Sequence, residues 1–600
     1  MKIAESRYRE LKDFYQEKIR KQTMVVNTIS NLRLLAFLIG LAVGVYFVVN
    51  KNFLGLAIDI GVFIVLFLPM VILHDAFLKK RRYSTAFYKI NKVSLMRIKG
   101  EWNGFLDDGA EFIDESHHYS QDLDIFGEGS LFQYINTAIT FLGRKRLAEI
   151  LTTVDNRDVI VSRRNAVFEL ADKLKWRQEF QAEGRLEAEQ MHDPQELFDW
   201  AEDESPVYRN PMLYLLVWIT PFLTAGVGVY TLLQPVKNYL PLIIALLIQT
   251  VAVYGKFRKR AEVLDTTYRY MKNIRVYSEL IARFEEEEFG SNYLNGLQKG
   301  LKNTAGRTAS EQIGKLVRLV DMISNRSSEI YVVFNVLFLL DFHFMFALER
   351  WKSRSGKHIE NWLLTVAELE ALNSLAVLRY DHPDWATPDL VAGDPVLQSK
   401  KLGHPLLIDK CIRNDLNFSD VHTILLITGS NMSGKSTLLR TAGINLVLAY
   451  AGAPVCAESF RCSVMEVFSC MRVHDNLEKN ISSFYAELLR IKMLVQGVEE
   501  GKQIFFLLDE IFKGTNSRDR HTGARMLIKK LSTKKVLGLV STHDLELCDL
   551  DFEIEKVENY HFQEHYKENE IMFDYLLREG ISKTQNAEYL MKMAGIVFDK

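Results

Sequence analysis

Four apolar runs, arranged as two pairs, interrupt an otherwise mixed sequence. The first pair covers residues 34–49 and 53–73, the second covers residues 212–233 and 239–254, and a short polar segment joins each pair. Each run is about long enough to cross the hydrocarbon core of a bilayer, the first only just. The pattern predicts two transmembrane helical hairpins. For the first pair, the less favoured alternative is a hairpin buried inside a soluble protein.

Basic residues crowd the outer flanks of both pairs, whereas each connecting loop carries one lysine. They are Lys18, Arg20, Lys21 and Arg33 before the first pair, residues 79–82 after it, and Lys256, Arg258, Lys259 and Arg260 after the second. By the positive-inside rule, both hairpins should enter and leave from the cytoplasm. A cleaved secretory signal is not expected, because the first apolar run begins too late and no small-residue cleavage site follows. The predicted location is the cell inner (cytoplasmic) membrane, with several spans and the last third of the chain in the cytoplasm.

A third apolar stretch, residues 330–348, contains Asp341 and His343 and repeats with helical spacing. Ionisable residues are costly inside a bilayer, so we expect a buried helix here rather than a further span. Residues 261–380 as a whole follow a helical period, which predicts long helices.

Composition narrows the function classes only a little. The chain has 600 residues, 48% of them hydrophobic, and is long enough for several domains with real cores. A formal net charge of −2 provides no global attraction to nucleic acid, so any DNA contact needs a local basic patch. The five cysteines lie in the last third without paired CxxC spacing, which predicts reduced core residues of an intracellular protein rather than zinc ligands.

The most informative stretch follows an apolar run of β type at residues 424–428 and precedes a helical pattern. Its residues are Gly429, Ser430, Asn431, Met432, Ser433, Gly434, Lys435, Ser436 and Thr437. The two glycines let backbone N–H groups close around phosphate oxygens, and the helix N-terminus adds a positive dipole end. In this strand–GxxxxGK[ST]–helix pattern, Lys435 reaches the β- and γ-phosphates and Ser436 can bind Mg²⁺, so ATP and Mg²⁺ are the predicted ligands. A glycine-rich turn that matches by chance is the less favoured alternative.

Two further apolar strands end in polar residues suited to phosphoryl transfer. Residues 504–508 lead into Asp509, which would hold Mg²⁺ through water, and Glu510, which is placed to polarise the attacking water. Residues 536–540 lead to His543, which could sense the γ-phosphate or orient that water. The less favoured alternatives are a helix N-cap for the acid pair and a structural role for the histidine.

These segments occur in the order and spacing of the MutS branch of the ABC-type ATPases, which the chain resembles. The matching segments are residues 429–437, 482–487 (SSFYAE), 509–515 (DEIFKGT) and 541–543 (STH). Upstream, residues 122–127, 130–132, 140–147 and 163–170 resemble the start of the MutS core, for which the alternative is two amphipathic helices with a solvated basic face. Residues 370–376 resemble its returning lever helix, and residues 403–406 with 414–416 the segment leading into its ATPase. The resemblance covers about residues 120–600, apart from the second hairpin.

The resemblance implies a homodimer in which two ATPase domains face each other. Ser482 would contact the γ-phosphate bound by the partner, and residues 576–596 would form a helical C-terminus packed across the dimer. The chain departs from the family at Cys411, where many members offer an aromatic residue to stack on adenine. Ser430 and Ser433 replace the usual Pro and Gly, but neither change removes a phosphate-binding N–H.

Mismatch recognition is not expected. Repair MutS proteins insert a Phe-x-Glu wedge from a domain ahead of the core, whereas about 120 residues precede the core here and a predicted hairpin fills much of them. Phe112-Ile113-Asp114 is a poor substitute for that wedge. DNA binding, where it occurs, should be non-specific.

The predicted fold is a multidomain α plus α/β chain. Residues 1–120 form an N-terminal region with the first hairpin, residues 121–400 an all-α MutS-like core and lever with the second, and residues 401–600 an ABC-type P-loop ATPase domain with a helical dimerisation segment.

The predicted function is a membrane-anchored MutS-family ATPase that couples ATP turnover to clamp-like movement, with DNA as a candidate partner. The alternative is an ABC-type membrane ATPase or transporter for a non-DNA substrate, disfavoured by only four candidate spans and no LSGGQ-type sequence. A scaffold with vestigial activity is disfavoured by the intact Lys435, Asp509, Glu510 and His543.

Overall fold

The computed structural model describes most of the chain. The described residues are 1–187, 193–203, 206–236, 238–255, 260, 263–265, 271–302, 306–324, 328–407, 411–419, 421–472, 483–513, 515–567 and 570–581. Within them, helices occupy the first part and an α/β part begins at β1, ahead of the predicted boundary at residue 401. A helical N-terminal region followed by a C-terminal α/β sheet domain is the order that the sequence predicted.

The helices before the first strand are α1 (Lys2–Val49), α2 (Phe53–Ile98), α3 (Leu131–Ile135), α4 (Phe141–Thr152), α5 (Arg157–Asp172), α6 (Leu174–Glu187), α7 (Gln195–Glu202), α8 (Pro211–Leu233), α9 (Leu240–Tyr254), α10 (Met271–Glu286), α11 (Asn292–Gly300), α12 (Ala309–Ile323), α13 (Glu329–Phe338), α14 (Leu340–Trp351) and α15 (Lys357–Asp381). Helix α15 is buried on nearly all sides and packs between α4 and α5. Helix α15 therefore lies in the centre of the bundle, where it buries polar residues such as Glu368 and Glu370 as well as apolar ones.

The strands are β1 (Asp389–Val391), β2 (Leu397–Leu402), β3 (Asn414–Asn417), β4 (Ile424–Thr428), β5 (Ser459–Ser463), β6 (Glu466–Cys470), β7 (Ile504–Asp509), β8 (Val536–Ser541), β9 (Val557–Lys567) and β10 (Glu570–Glu579). The helices among them are α16 (Lys435–Ala451), α17 (Ser483–Glu499), α18 (Ser517–Ser532) and α19 (Leu550–Glu553).

The strands form two sheets. The smaller has the order β1-β5-β2-β3, and the larger has the order β10-β9-β4-β8-β7-β6. In the larger sheet all neighbours are parallel except β10, which runs antiparallel to β9 at the edge. Strands β4 and β8 are buried along their whole length, as expected for parallel strands with near-continuous apolar runs. Because β4, β7 and β8 are neighbours and parallel, the polar residues at their carboxyl ends meet at one edge of the sheet.

The first apolar pair forms the outer halves of two much longer helices, α1 and α2. The polar halves pack on the helical region: the Tyr8 hydroxyl donates to Asp381 Oδ1 at 2.9 Å, and Asn91 and Gln178 exchange hydrogen bonds. Among the described residues, α1, α2 and α8 are long and apolar enough to cross a membrane. Helix α9 is apolar too, but it has only 15 residues.

The prediction of one buried helix over residues 330–348 is wrong for its first half. The chain breaks at Leu339, where φ is +55°, and α13 meets the following helix at a bend of 74°. Helix α14 packs into the protein, with Phe342 and Phe346 buried, whereas α13 exposes most of its apolar residues. The sequence period continues through the break, which is why periodicity alone did not reveal it.

The prediction of a helical C-terminus over residues 576–596 is wrong at its start. Residues 576–579 belong to β10, with Leu577 opposite Phe562 of β9. Backbone hydrogen bonds to an open sheet edge stabilise the extended form there. Residues 582–596 lie outside the described part of the chain.

Candidate functional site

The stretch that the sequence predicts to bind phosphate lies between β4 and α16. Gly429 and Gly434 have φ of +147° and +107°, values that L side chains rarely adopt. A Cβ on Gly429 would also come within 2.8 Å of Ser433 Oγ. Glycine is therefore required at both ends of the loop for the chain to leave β4 and begin the helix at Lys435.

The Lys435 side chain is buried at the centre of this loop. Its Nζ donates to the carbonyl oxygens of Gly429 and Ser430, both at 2.9 Å, and lies 4.0 Å from Glu510 Oε1. Burial lowers the pKa of Lys435, while the carboxylates of Glu510 and Asp509 act in the opposite direction. A cation enclosed by the backbone of such a loop suits the charge of a polyphosphate.

Asp509 lies where β7 ends, beside the first turn of α16. The Ser436 hydroxyl donates to Asp509 Oδ2 at 2.6 Å, and the Ser541 hydroxyl donates to Asp509 Oδ1. Asp509 and Ser541 are partners in the parallel register of β7 and β8. The two predicted metal ligands, Ser436 and Asp509, are thus side by side, and Ser541 is a neighbour that the sequence analysis did not assign to the site.

The two residues predicted to be catalytic, Glu510 and His543, are in direct contact. His543 Nε2 contacts Glu510 Oε1 and lies 2.7 Å from Asn431 Oδ1, while Lys513 Nζ lies 3.0 Å from Glu510 Oε2. The hydrogen bond to His543 lowers the pKa of Glu510 to about 2, with Lys513 adding to the shift and burial opposing it. The Glu510 carboxylate is therefore ionised and held between the loop and His543.

The backbone after β7 is strained. Glu510 and Phe512 have φ of +50° and +62°, in the left-handed region that non-glycine residues seldom occupy. The Phe512 N–H donates to the Glu487 carboxylate of α17, and burial raises the pKa of Glu487. Glu487 closes the SSFYAE segment, for which the sequence analysis gave no role beyond Ser482. The structure shows that this glutamate holds the turn that presents Glu510.

A cavity of about 520 Å³ opens beside the loop, within the size range of small-molecule sites. Its lining includes Asn431, Met432, Ser433, Gly434, Lys435, Ser436, Thr437 and Glu510 from the predicted site, and Leu407, Cys411, Ile412, Asn414, Phe562 and Tyr575 from outside it. Gly429 and Ser430 stand at the start of the loop, where Ser430 Oγ donates to Glu564 Oε2 at 2.9 Å. Cys411 does line the cavity, and burial raises the pKa of its thiol.

Tyr575 is a lining residue that the sequence analysis missed. A Cβ on Gly434 would lie 3.2 Å from its ring, so the tyrosine lies directly over the loop. It sits at φ +57° in an irregularity of the β9–β10 pairing. Asn414 fixes that irregularity, donating to Tyr575 O at 3.0 Å and accepting from Leu577 N at 2.8 Å. No motif marks Tyr575, because its position depends on strand pairing.

Ser482, predicted to contact the phosphate of a partner chain, lies outside the described residues, as do residues 473–481 before it. The prediction for Ser482 therefore stays a prediction.

Phe112 is the residue that the sequence analysis compared with the phenylalanine of the mismatch wedge. Its ring packs against those of Phe126 and Phe132, with centroid distances of 5.9 and 5.6 Å.

A mostly parallel sheet with a strand–glycine loop–helix connection, and with two acids where β7 ends, is the arrangement typical of P-loop nucleotide-binding domains. Within that class, residues 425–597 match the family model of MutS domain V. This part of the chain belongs to the MutS family.

Curated relatives match somewhat more than a third of the chain. The chain is 30% identical over 236 residues to "DNA mismatch repair protein MutS" of Persephonella marina, covering 38% of this chain and 27% of that protein. It is 31% identical over 239 residues to the protein of that name from Carboxydothermus hydrogenoformans, covering 38% and 28%. It is 31% identical over 234 residues to "MutS protein homolog 4" of Mus musculus, covering 37% and 24%. The chain thus spans about a quarter of the length of the curated relatives it matches.

Proposed function

We propose that this chain is a membrane-anchored MutS-type ATPase that binds ATP in the cavity beside the loop and hydrolyses it. The observation that carries the proposal is the meeting of three separate elements beside one cavity. Lys435 of the loop and Glu510 after β7 line the cavity, Asp509 accepts a hydrogen bond from the lining residue Ser436, and His543 after β8 contacts Glu510.

Each side chain has a defined task in phosphoryl transfer. The loop N–H groups and Lys435 bind and neutralise the phosphate oxygens, which is where charge develops in the transition state. Glu510 stays ionised at neutral pH and accepts hydrogen bonds, so it can orient and polarise the attacking water. His543, fixed between Glu510 and Asn431, is placed to hold that water or the terminal phosphate in line.

The donor set beside the loop fits Mg²⁺. Ser436 Oγ and Asp509 Oδ2 are 2.6 Å apart, and both are hard oxygen ligands of the kind that Mg²⁺ binds together with phosphate and water. When bound, Mg²⁺ would neutralise phosphate charge. Ser541 donates to the other oxygen of the Asp509 carboxylate and so orients it, and the first turn of α16 carries Ser436.

Tyr575 offers the flat apolar surface that Cys411 cannot. Its ring lies over Gly434 at the mouth of the loop, in the same cavity as Cys411 and Ile412. Aromatic faces stack on planar rings with a preference of about 0.5–1.5 kcal/mol beyond area burial. We therefore assign adenine stacking to Tyr575.

The active unit is proposed to be a homodimer. By the family resemblance, Ser482 acts on the nucleotide of a second chain. The segment that carries it leads directly into α17, and Glu487 of that helix holds the turn that presents Glu510. This connection supports a route by which pairing of two chains would affect the hydrolytic residues of each.

Membrane anchoring is proposed on the burial pattern of the apolar helices. The most apolar segments of α1 and α2 have no buried residues, and polar residues of α8 and α9, among them Thr224, Thr231 and Gln249, are buried instead. Such inside-out burial suits lipid as the surrounding solvent. The proposed location is the cytoplasmic membrane with the α/β part in the cytoplasm, and any DNA contact is proposed to be non-specific.

The test of the ATPase is a single pair of variants of the full chain purified in detergent. Lys435→Ala removes the buried cation of the loop and is expected to abolish measurable ATP binding and hydrolysis. Lys492→Ala, an exposed lysine of α17, is the matched control and should hydrolyse ATP at the wild-type rate. Hydrolysis by Lys435→Ala equal to that of Lys492→Ala would refute the proposed function.

A further inference from the structure

Helix α13 exposes its apolar side chains and buries a polar one. Its exposed residues are Ile330, Val332, Val333, Phe334, Leu337 and Phe338. Its least exposed stripe, at Tyr331, Asn335 and Leu339, carries two polar side chains. Between residues 330 and 338 no exposed position is polar, so this helix lacks the charged face of a helix lying at a membrane surface. The pattern is that of a helix surrounded by lipid.

The break at the end of α13 is bridged by hydrogen bonds within the protein. The Asp341 N–H donates to Asn335 Oδ1 at 2.9 Å, and the Tyr331 hydroxyl donates to Asp341 Oδ1 at 2.6 Å. Irregular backbone is tolerated at membrane depth only where the protein itself supplies hydrogen-bond partners. These two bonds meet that condition at the bend of 74°.

The exposed face of α13 continues the apolar surface of the second hairpin. Helix α13 packs on α9, and Leu339 at its end lies in one apolar cluster with Val217 of α8 and Val253 of α9. The outward residues of those two helices are also large and apolar, for example Leu247 and Phe222. The surroundings that cover the apolar surface of α8 and α9 therefore extend over α13 as well.

We infer that α13 inserts into the lipid bilayer beside the second hairpin as a half-length segment. At 1.5 Å per residue its ten residues extend for about 15 Å, roughly half the hydrocarbon thickness. This inference rests on the membrane part of the proposed function and adds a contact that the two hairpins do not require.

Helix α13 leads into a long helical element, which gives its contact with lipid a mechanical consequence. The chain from α14 to the end of α15 is helical throughout, including a wider turn at Lys352–Gly356, and is about 60 Å long at 1.5 Å per residue. Beyond it, Ala386 exchanges backbone hydrogen bonds with Val455, next to β5 of the α/β part. One long helical element thus links a bilayer-embedded end to the domain that carries the nucleotide cavity.

The experiment uses fluorescent probes on cysteines introduced one at a time into the full chain, reconstituted into phospholipid vesicles. In the parent, Cys411→Ala removes the one native cysteine that is not buried. The test probe replaces Val333, a second test probe replaces Phe334, a lipid reference replaces Leu66 on α2, and an aqueous reference replaces Glu360 on α15. ATP hydrolysis at the rate of the parent shows that each labelled variant is folded. The readout is quenching by spin labels on the lipid acyl chains.

The probes at Val333, Phe334 and Leu66 should lose most of their emission in spin-labelled vesicles, and the probe at Glu360 should keep it. If the probes on α13 keep their emission while Leu66 loses it, protein covers α13, whether its own or that of a second copy, and the inference is wrong. If Leu66 also keeps its emission, both the inference and the membrane anchor fail, while the Lys435 assay still decides the ATPase separately.

Discussion

Two regions of this molecule bury opposite kinds of side chain. The proposed nucleotide end comprises the loop at residues 429–437 with the ends of β7 and β8, and the apolar-helix end comprises the two hairpins and α13. Around the loop, apolar strands such as β4 and β8 lie inside, and the polar groups Lys435, Asp509 and Glu510 gather at one edge with partners for their charges. In the hairpins and α13, large apolar side chains point outward and the polar Gln249 and Asn335 are buried.

This difference supports the proposal that the two regions have different surroundings. An exposed leucine on the α/β part is an ordinary surface residue, whereas a whole helix of exposed leucines and valines is the pattern on which the proposed membrane anchor rests. Equal exposure therefore has different meanings in the two regions. Comparable substitutions in the two regions should accordingly have different effects.

The largest expected effect is on hydrolysis at the nucleotide end. Glu510→Gln removes the ionised carboxylate that orients water, and kcat should fall by about 10² to 10⁴-fold while ATP binding persists. The bound dimer should also last longer, because turnover no longer ends it. Steady-state turnover and equilibrium ATP binding measure the two effects. The control is Glu555→Gln, which changes an exposed glutamate of the same domain. A wild-type rate for Glu510→Gln would show that Glu510 does not polarise the attacking water.

The next prediction compares the effect of a lysine substitution at one exposed leucine in each of the two regions. Leu66 of α2 and Leu545 of the α/β part are similarly exposed, at 56% and 51%. A lysine in place of Leu66 should cost about 2.5–3.5 kcal/mol if that position is in the bilayer centre. A lysine in place of Leu545 should change stability by no more than about 0.5 kcal/mol.

These two lysine variants are compared by labelling intact cells with a membrane-impermeant maleimide. A cysteine at Lys51, in the turn between α1 and α2, should be labelled from outside, and one at Lys89 should not. Leu66→Lys should reduce labelling at position 51, and Leu545→Lys should not. Equal labelling in both lysine variants would mean that the exposed leucines of α2 do not face lipid.

A smaller effect is expected at the mouth of the loop. Tyr575→Ala removes the proposed stacking surface and should raise the Kd for ATP about two- to tenfold, from a stacking energy of about 0.5–1.5 kcal/mol. Tyr575→Phe keeps the ring and should bind ATP as the wild type does. Titration with a fluorescent ATP analogue gives the affinities. If both variants bind equally well, the base is held elsewhere in the cavity.

The smallest effect is expected on DNA. Phe112, the nearest candidate for a wedge, is engaged with Phe126 and Phe132, so it is not free to unstack a base step. Any DNA affinity should come from phosphate contacts, fall steeply with salt and ignore mismatches. Competition between matched and mismatched duplexes at one salt concentration measures this. A preference for the mismatched duplex above about tenfold, or about 1.4 kcal/mol, would contradict this expectation and would favour a role in mismatch repair.

Short local patterns revealed most of the nucleotide end. The loop from Gly429 to Thr437 and the strands that end at Asp509 and Ser541 lie where the sequence predicted, because buried parallel strands and glycine turns are encoded locally. Tyr575 and Glu487 were missed in their roles, since one depends on the irregular pairing of β9 with β10 and the other on a contact between α17 and the turn after β7.

Longer apolar stretches were less informative. Both apolar pairs were found, but α1 and α2 run far beyond them, and hydropathy does not show where a polar continuation of a helix packs. The stretch at residues 330–348 was predicted as a single helix because its period continues, although Leu339 turns the backbone and separates an exposed half from a buried one. Burial of particular faces is decided by tertiary contacts.

The most direct test of a membrane-anchored ATPase is ATP hydrolysis by inside-out membrane vesicles washed with high salt. We expect activity to stay with the vesicles, to be released only by detergent, and to be absent from vesicles that carry Lys435→Ala at equal protein level. Activity that appears in the salt wash, or vesicles with Lys435→Ala that hydrolyse ATP as the wild type does, would contradict the proposed function.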